Sequence, residues 1–226
     1  MYFIQKNLTR FNNIGYTYFL NPSELNMLKS RLKKNDFKIY YPYKDSEKNI
    51  VYKGNVPDVI LYEIKSKQVL RHQDILGSMY SLNISPDLFG DILIINNKYY
   101  IYILPILRNY FESNFICIKN SKIKLQEIDI NLLINYERKY EKIELIVSST
   151  RIDTIISSII HTSRREISNL ISKRAIMLNY DYLSSTDYKL KENDVFSVKK
   201  YGKFKFNNII KKTKKDNLIV ELLQYM

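Results

Sequence analysis

Ser163-Arg164-Arg165-Glu166 is the stretch whose residue types and spacing point most directly to a chemistry. A serine with a glutamate three residues on has the spacing of a capping box, which starts a helix. With Ile167, Leu170 and Ile171 turned inward, Arg164, Arg165, Ser168, Asn169 and Ser172 face outward. Two guanidiniums at a helix start meet the positive end of the helix dipole and work against stability. What they gain is affinity for anions, because a planar guanidinium bonds two phosphate oxygens at once. Catalytic alternatives are thin. Arg71-His72-Gln73-Asp74 sets a histidine near an acid, but an acid–base role needs a converging nucleophile or metal. His72, His161 and the single Cys117 are scattered and form no metal-ligand cluster, and no cofactor is expected. Five widely spaced glycines build no phosphate-cradling loop. His161 is expected to cap a helix C-terminus, and Cys117, in an apolar run, to lie in the core.

The helix carrying Arg164 needs a scaffold. Ile152, Ile155, Ile156, Ile159 and Ile160 recur at helical spacing just before it, with Thr150 and Asp153 as its expected cap. Short strands are expected at 176–178 and 195–198, joined through a turn at 179–181. Two helices on a small sheet make a complete miniature domain. Upstream, Asn21-Pro22-Ser23-Glu24 opens a helix with Leu25, Leu28 and Leu32 on one face. Strands are expected at 37–41, 49–52 and 58–64, a helix at 73–81, a hairpin of 92–95 with 99–104 turning at 96–98, a helix at 107–111, and strands at 115–118 and 122–125. Residues 136–147 read as the last strand of that middle part. This alternation suggests a small α+β sandwich.

The chain has 226 residues, 45% hydrophobic and 26% charged, ordinary for a globular protein with real cores. No apolar run approaches the length of a membrane span. The first residues carry none of the marks of an export signal, and a cytoplasmic location is the expectation. Lys and Arg number 36 against 23 Asp and Glu, a net +13 that favours polyanionic partners. Residues 148–226 hold 15 bases against 8 acids, so +7; the first 147 hold 21 against 15, so +6. The density of positive charge is therefore about twice as high in the last third. The isoleucine stripe at 152–160 has no basic opposite face, which makes it core rather than a membrane-surface helix.

Arg151-Ile152-Asp153, Ser163-Arg164-Arg165, Ile176-Met177-Leu178-Asn179 and Leu190-Lys191-Glu192-Asn193-Asp194-Val195 together resemble the RNA-binding domain named after ribosomal protein S4. Lys200-Tyr201-Gly202-Lys203-Phe204-Lys205 after it extends the resemblance to the YlmH family. Phe19-Leu20-Asn21-Pro22, Arg71 to Gly77, Gly90-Asp91-Ile92 and Lys212-Thr213-Lys214-Lys215 match that family's pattern in the right order. Three positions depart from it. Arg174 and Asn193 stand where glycines are usual, so left-handed backbone is expected at both. Ile39-Tyr40 replaces a Gly-Gly turn.

The resemblance implies a non-enzymatic RNA-binding protein of translation, bound to rRNA or tRNA on the ribosome, with the large subunit and stalled complexes as its expected setting. No membrane and no small-molecule substrate are expected. It implies RNA contacts from Arg151, Ser163, Arg164, Arg165 and Lys173, with Asn179 shaping a strand turn, and Lys200, Lys203 and Lys205 extending the surface. Phe204 and Phe206 alternate with lysines; core packing is expected for at least one. The alternative is an RNA-modifying enzyme such as a pseudouridine synthase, which needs an aspartate in an Arg-x-Asp motif. Only Arg151-Ile152-Asp153 offers one, and the small domain uses it. The expected fold is α+β: a small N-terminal α/β part over 1–66, a central RRM-like α+β sandwich over 67–147, an S4-type domain of two helices and a small sheet over 148–206, and a basic extension with a final strand over 207–226.

Overall fold

The computed structural model describes residues 2–33 and 35–226. The chain is mixed α+β and divides into two units between Glu137 and Arg138. Among the described residues no helix is long and apolar enough to cross a membrane.

The first unit opens with α1 (Tyr2–Ile14) and α2 (Pro22–Lys29), followed by the antiparallel pair β1 (Lys38–Tyr40) and β2 (Ile50–Tyr52). Helix α2 starts where the sequence says it must. Asn21 accepts from the Glu24 N–H, the Glu24 carboxylate accepts from the Asn21 N–H, and Pro22 takes the first helical position. Then come β3 (Ile60–Ser66), α3 (His72–Ser81), β4 (Phe89–Ile95), β5 (Lys98–Ile103), α4 (Arg108–Asn114), β6 (Cys117–Ile118) and β7 (Ser121–Ile128). These strands form one antiparallel sheet in the order β4-β5-β3-β7-β6. Asn96 and Asn97 close the β4–β5 hairpin with φ of 50° and 61°, the left-handed pair that a tight two-residue turn requires.

Alternation along the strands sorts this sheet into two faces. Ile60, Tyr62, Ile64, Tyr99, Ile101 and Ile103 meet Ile75, Met79 and Phe111 of α3 and α4. Leu61, Leu93, Tyr100 and Tyr102 on the other face are packed by Phe19, Tyr43 and Ile50 from the N-terminal part. The expected boundary at 66/67 is therefore corrected. It would cut β3, the strand between β5 and β7, from its own sheet, and would leave Phe19 and Tyr43 nothing to cover. The Gly90-Asp91 pair locks this layer down. A Cβ at Gly90 would lie 3.0 Å from both the Phe19 ring and Tyr102 Cβ. The Asp91 carboxylate accepts from the Tyr43 hydroxyl at 2.7 Å and the Glu47 N–H at 2.8 Å.

Helix α3 begins at Arg71, whose N–H donates to Asp74 at 3.0 Å. The same carboxylate, only 5% exposed, takes the Arg71 guanidinium at 3.2 Å and Lys119 Nζ at 2.8 Å. Asp74, the acid near His72, is thus a structural anchor joining α3 to the β6–β7 turn. Hydrogen bonds from the Arg71 guanidinium first, then from Lys119 and the Arg71 amide, hold its carboxyl well below the ordinary range. The unfolded chain takes up this proton near pH ~3.9, whereas the native state resists it. The stability Asp74 contributes is present above that pH and drains away as the pH falls further. Asp74→Asn should cost about 1–3 kcal/mol at neutral pH and flatten the acid limb of a pH series of thermal melts. An acid limb identical to wild type would contradict this anchoring.

The second unit consists of β8 (Tyr140–Val147), α5 (Ile152–Ile160), α6 (Arg164–Ser172), β9 (Ile176–Leu178), β10 (Asp181–Tyr182), β11 (Val195–Val198), β12 (Gly202–Lys212) and β13 (Leu218–Tyr225). They make a second antiparallel sheet in the order β10-β9-β11-β12-β13-β8. Ile152, Ile155 and Ile156 of α5 and Ile167 of α6 pack on Phe196, Val198, Phe204, Phe206, Val220 and Leu222. Two further boundaries are corrected here. Strand β8 does not finish the first unit's sheet; it pairs with β13 from Leu218↔Val147 to Tyr225↔Tyr140. Strand β12 runs through the expected 206/207 boundary and forms a hairpin with β13, so residues 207–226 belong to the same sheet.

Candidate nucleic-acid interface

The starts of α5 and α6 are linked by one hydrogen-bonded chain. Arg151 occupies the cap position of α5, and its guanidinium reaches the Asp153 carboxylate through Nε at 3.1 Å and Nη2 at 2.9 Å. Asp153, nearly fully buried, also accepts from the Thr154 N–H at 2.8 Å, and Thr154 Oγ1 accepts from Arg164 Nη2 at 3.3 Å. The expected Thr150 cap is replaced by this clamp, because the Asp153 side chain turns to Arg151. The guanidinium fork holds the Asp153 carboxyl below its ordinary range.

Ser163 caps α6 by accepting from the Glu166 N–H at 3.2 Å. Only that half of the box is closed, since the Glu166 carboxylate takes the Asn169 side-chain amide at 3.1 Å instead. Arg164, Arg165, Ser168, Asn169 and Ser172 are exposed, as the helical wheel predicts. Neither Arg164 nor Arg165 makes an ion pair among the described residues. Arg151, Ser163, Arg164 and Arg165 are therefore brought together at the two helix starts. Lys173 ends α6, one helix length of roughly 13 Å away, also exposed.

The remaining expected contacts lie elsewhere. Asn179 (φ 48°) is a clamp between β9 and β11: its amide donates to Asp194 at 2.8 Å and its carbonyl accepts from the Val195 N–H at 2.9 Å. Lys200 (φ 77°) is exposed in the β11–β12 turn. Lys203 and Lys205 alternate with Phe204 and Phe206, which are buried against the helices. They consequently face away from α5 and α6. Lys203 Nζ stands 4.7 Å over the Tyr180 ring and 4.8 Å over the Tyr225 ring. The nine residues thus do not form one surface.

Both left-handed expectations are met, with Arg174 at φ 52° and Asn193 at φ 70°. In the sequence Arg174 is marked only by the glycine it replaces. Its guanidinium sits 5.6 Å over the Tyr182 ring beside Lys173, a second basic group at the end of α6 that no spacing in the sequence marks. His161 ends α5 in left-handed backbone, φ 50°. Cys117 is exposed, correcting the core expectation: on the short strand β6, Ile118 takes the inward position. Among the described residues no group of His, Cys, Asp and Glu converges as a metal site.

Two guanidiniums and a helix N-terminus, with one carboxylate turned aside, make a surface suited to anions. The family-model match falls within the first unit. Residues 58–132, about a third of the chain, match the family model described as "Putative RNA-binding domain in YlmH". Over that stretch the chain is homologous to YlmH proteins. It is also similar to the ribosome-associated protein quality control protein P2 of Bacillus subtilis (strain 168), at 23% identity over 145 residues, covering 64% of this chain. The chain spans 56% of that relative's length. Among solved structures it resembles the cell division protein ylmH from Streptococcus pneumoniae, with 19% identity, 58% of this chain and 90% of that chain covered, and a TM-score of 0.48.

Proposed function

We propose that the chain is a non-enzymatic RNA-binding protein of translation that docks on the ribosome, in the cytoplasm, through rRNA or tRNA of the large subunit. The observation that carries this reading is the exposed Arg164–Arg165 pair on the first turn of α6, with Arg164 tied through Thr154 to Asp153. The names of the matching domain family and of the Bacillus relative support it. In this reading the second unit is an S4-type module extended by β8 and β13. The succession β3-α3-β4-β5-α4-β7 and the order β4-β5-β3-β7 support an RRM-like sheet in the first. A stalled large subunit carrying tRNA is the proposed setting. Asp153, which a pseudouridine-synthase reading would need as its catalytic group, is buried and held by Arg151.

Shape and backbone are what such groups read in structured RNA, whose deep, narrow major groove excludes side chains. With about five phosphates neutralised, log affinity against log salt should fall with a slope of roughly −3.5 to −4.5. Titrating the full chain with rRNA fragments over a salt series measures this. A flat dependence would contradict the electrostatic site.

A further inference from the structure

The sheet of the first unit carries a second basic surface, on the face turned away from α3 and α4. Pairing puts Leu61 beside Tyr102 and Ile128, and Glu63 beside Tyr100 and Gln126. One step further, Lys65 pairs with Lys124, and continuing the Ile64↔Tyr99 register sets Lys98 on its other side. Leu61 and Tyr102 lie under the N-terminal layer, Glu63 is half-buried, and Lys65, Lys98 and Lys124 are exposed. The layer thus stops short of this end of the sheet and leaves a row of three lysines across three strands, roughly 10 Å long.

Like charges directly opposite one another on a sheet are destabilising. Two bases on a strand or beside one show the contrasting arrangement: Lys142 reaches Glu221 at 3.1 Å and Arg108 reaches Glu127 at 2.9 Å. None of Lys65, Lys98 and Lys124 makes an ion pair among the described residues. Lys122, exposed and two residues before Lys124, adds charge of the same sign on the same face. Glu63 in the neighbouring row is the one carboxylate that the register sets beside them. A four-stranded sheet that binds RNA ordinarily offers aromatic rings for stacking. Here that mode is closed, because Tyr100 and Tyr102 are 5% and 0% exposed.

We infer that the Lys98–Lys65–Lys124 row is a phosphate-backbone site for RNA, binding without base stacking and independent of sequence. It rests on the reading of the chain as an RNA binder and adds to it a contact surface on the first unit. The residues lie within the stretch that matches the RNA-binding domain family. The test uses the full chain and a short fluorescein-labelled RNA over a salt series. It compares wild type, the Lys65→Gln, Lys98→Gln, Lys124→Gln variant, and a control of equal charge change at exposed Lys33, Lys38 and Lys139. The row variant should weaken binding and make the log–log salt slope shallower by about 2 to 3, with a melting temperature equal to or above wild type. An unchanged slope overturns the site, as does an equal change in the control, which reports net charge alone. Loss of binding to phosphatidylserine vesicles with RNA binding intact also overturns it. Binding that survives Arg164→Glu with Arg165→Glu but falls in the row variant keeps the lysine row and removes the α6 site; the reverse keeps α6 and removes the row.

Discussion

Reversing the charge at Arg164 and Arg165 together should weaken RNA binding about 100-fold while leaving the melting temperature within a few degrees of wild type. Each guanidinium gives charge-assisted hydrogen bonds worth about 1.5–3 kcal/mol to a phosphate, so two lost contacts remove about 3 kcal/mol or more. The folded state loses little. Arg165 makes no ion pair among the described residues, and Arg164 gives up one long hydrogen bond to Thr154 Oγ1 at 3.3 Å. Glutamate in a first helical turn interacts favourably with the dipole, which offsets that loss. Circular-dichroism melting and fluorescence anisotropy on the same samples separate the two quantities. Retained binding would take the anion site away from α6. A melting temperature that dropped steeply would place the arginines in structural contacts.

The opposite signature is expected at Phe204. Its ring is 1% exposed and stacks on Phe196, with centroids 5.4 Å apart and planes at 23°, beneath the isoleucines of α5. Phe204→Ala should destabilise the second unit by about 3–5 kcal/mol. That approaches the whole stability of a typical small domain. Hydrogen exchange should show lost protection across residues 138–226 with little change over 58–132, and RNA retention should fall with it. Were Phe204 a base-stacking platform instead, the substitution would cost ~1–3 kcal/mol of affinity with protection unchanged.

These two outcomes also mark what the sequence could reveal. The stripe of isoleucines in α5 and the wheel of α6 are local patterns at helical spacing, and both are present as read. The Asn96-Asn97 turn and the α2 capping box are equally local. What stayed hidden depends on partners far along the chain. Strand β8 finds β13 across about seventy residues, and β3 is completed by β5 and β7, so neither boundary could be placed from composition. Helix α1 escaped notice because its buried face runs Ile4, Asn7, Phe11, with a polar residue at its centre. Asn7 belongs there because its side chain accepts from the Tyr18 N–H at 3.0 Å. The site was legible in part. Arg164 and Arg165 follow from the wheel, but the clamp from Arg151 through Asp153 and Thr154 exists only once two helix starts meet. Lys203 and Lys205 share a basic run with Phe204 and Phe206, yet the period of two sends them to the other face.

The central proposal is tested most directly by sucrose-gradient sedimentation of the tagged full chain in cell lysate, run beside the Arg164→Glu, Arg165→Glu variant. Comigration of the wild-type chain with large ribosomal subunits is expected, and its loss in the variant would locate the anchor on α6. Both proteins remaining at the top of the gradient would contradict ribosome binding. Both comigrating equally would contradict the role given to α6.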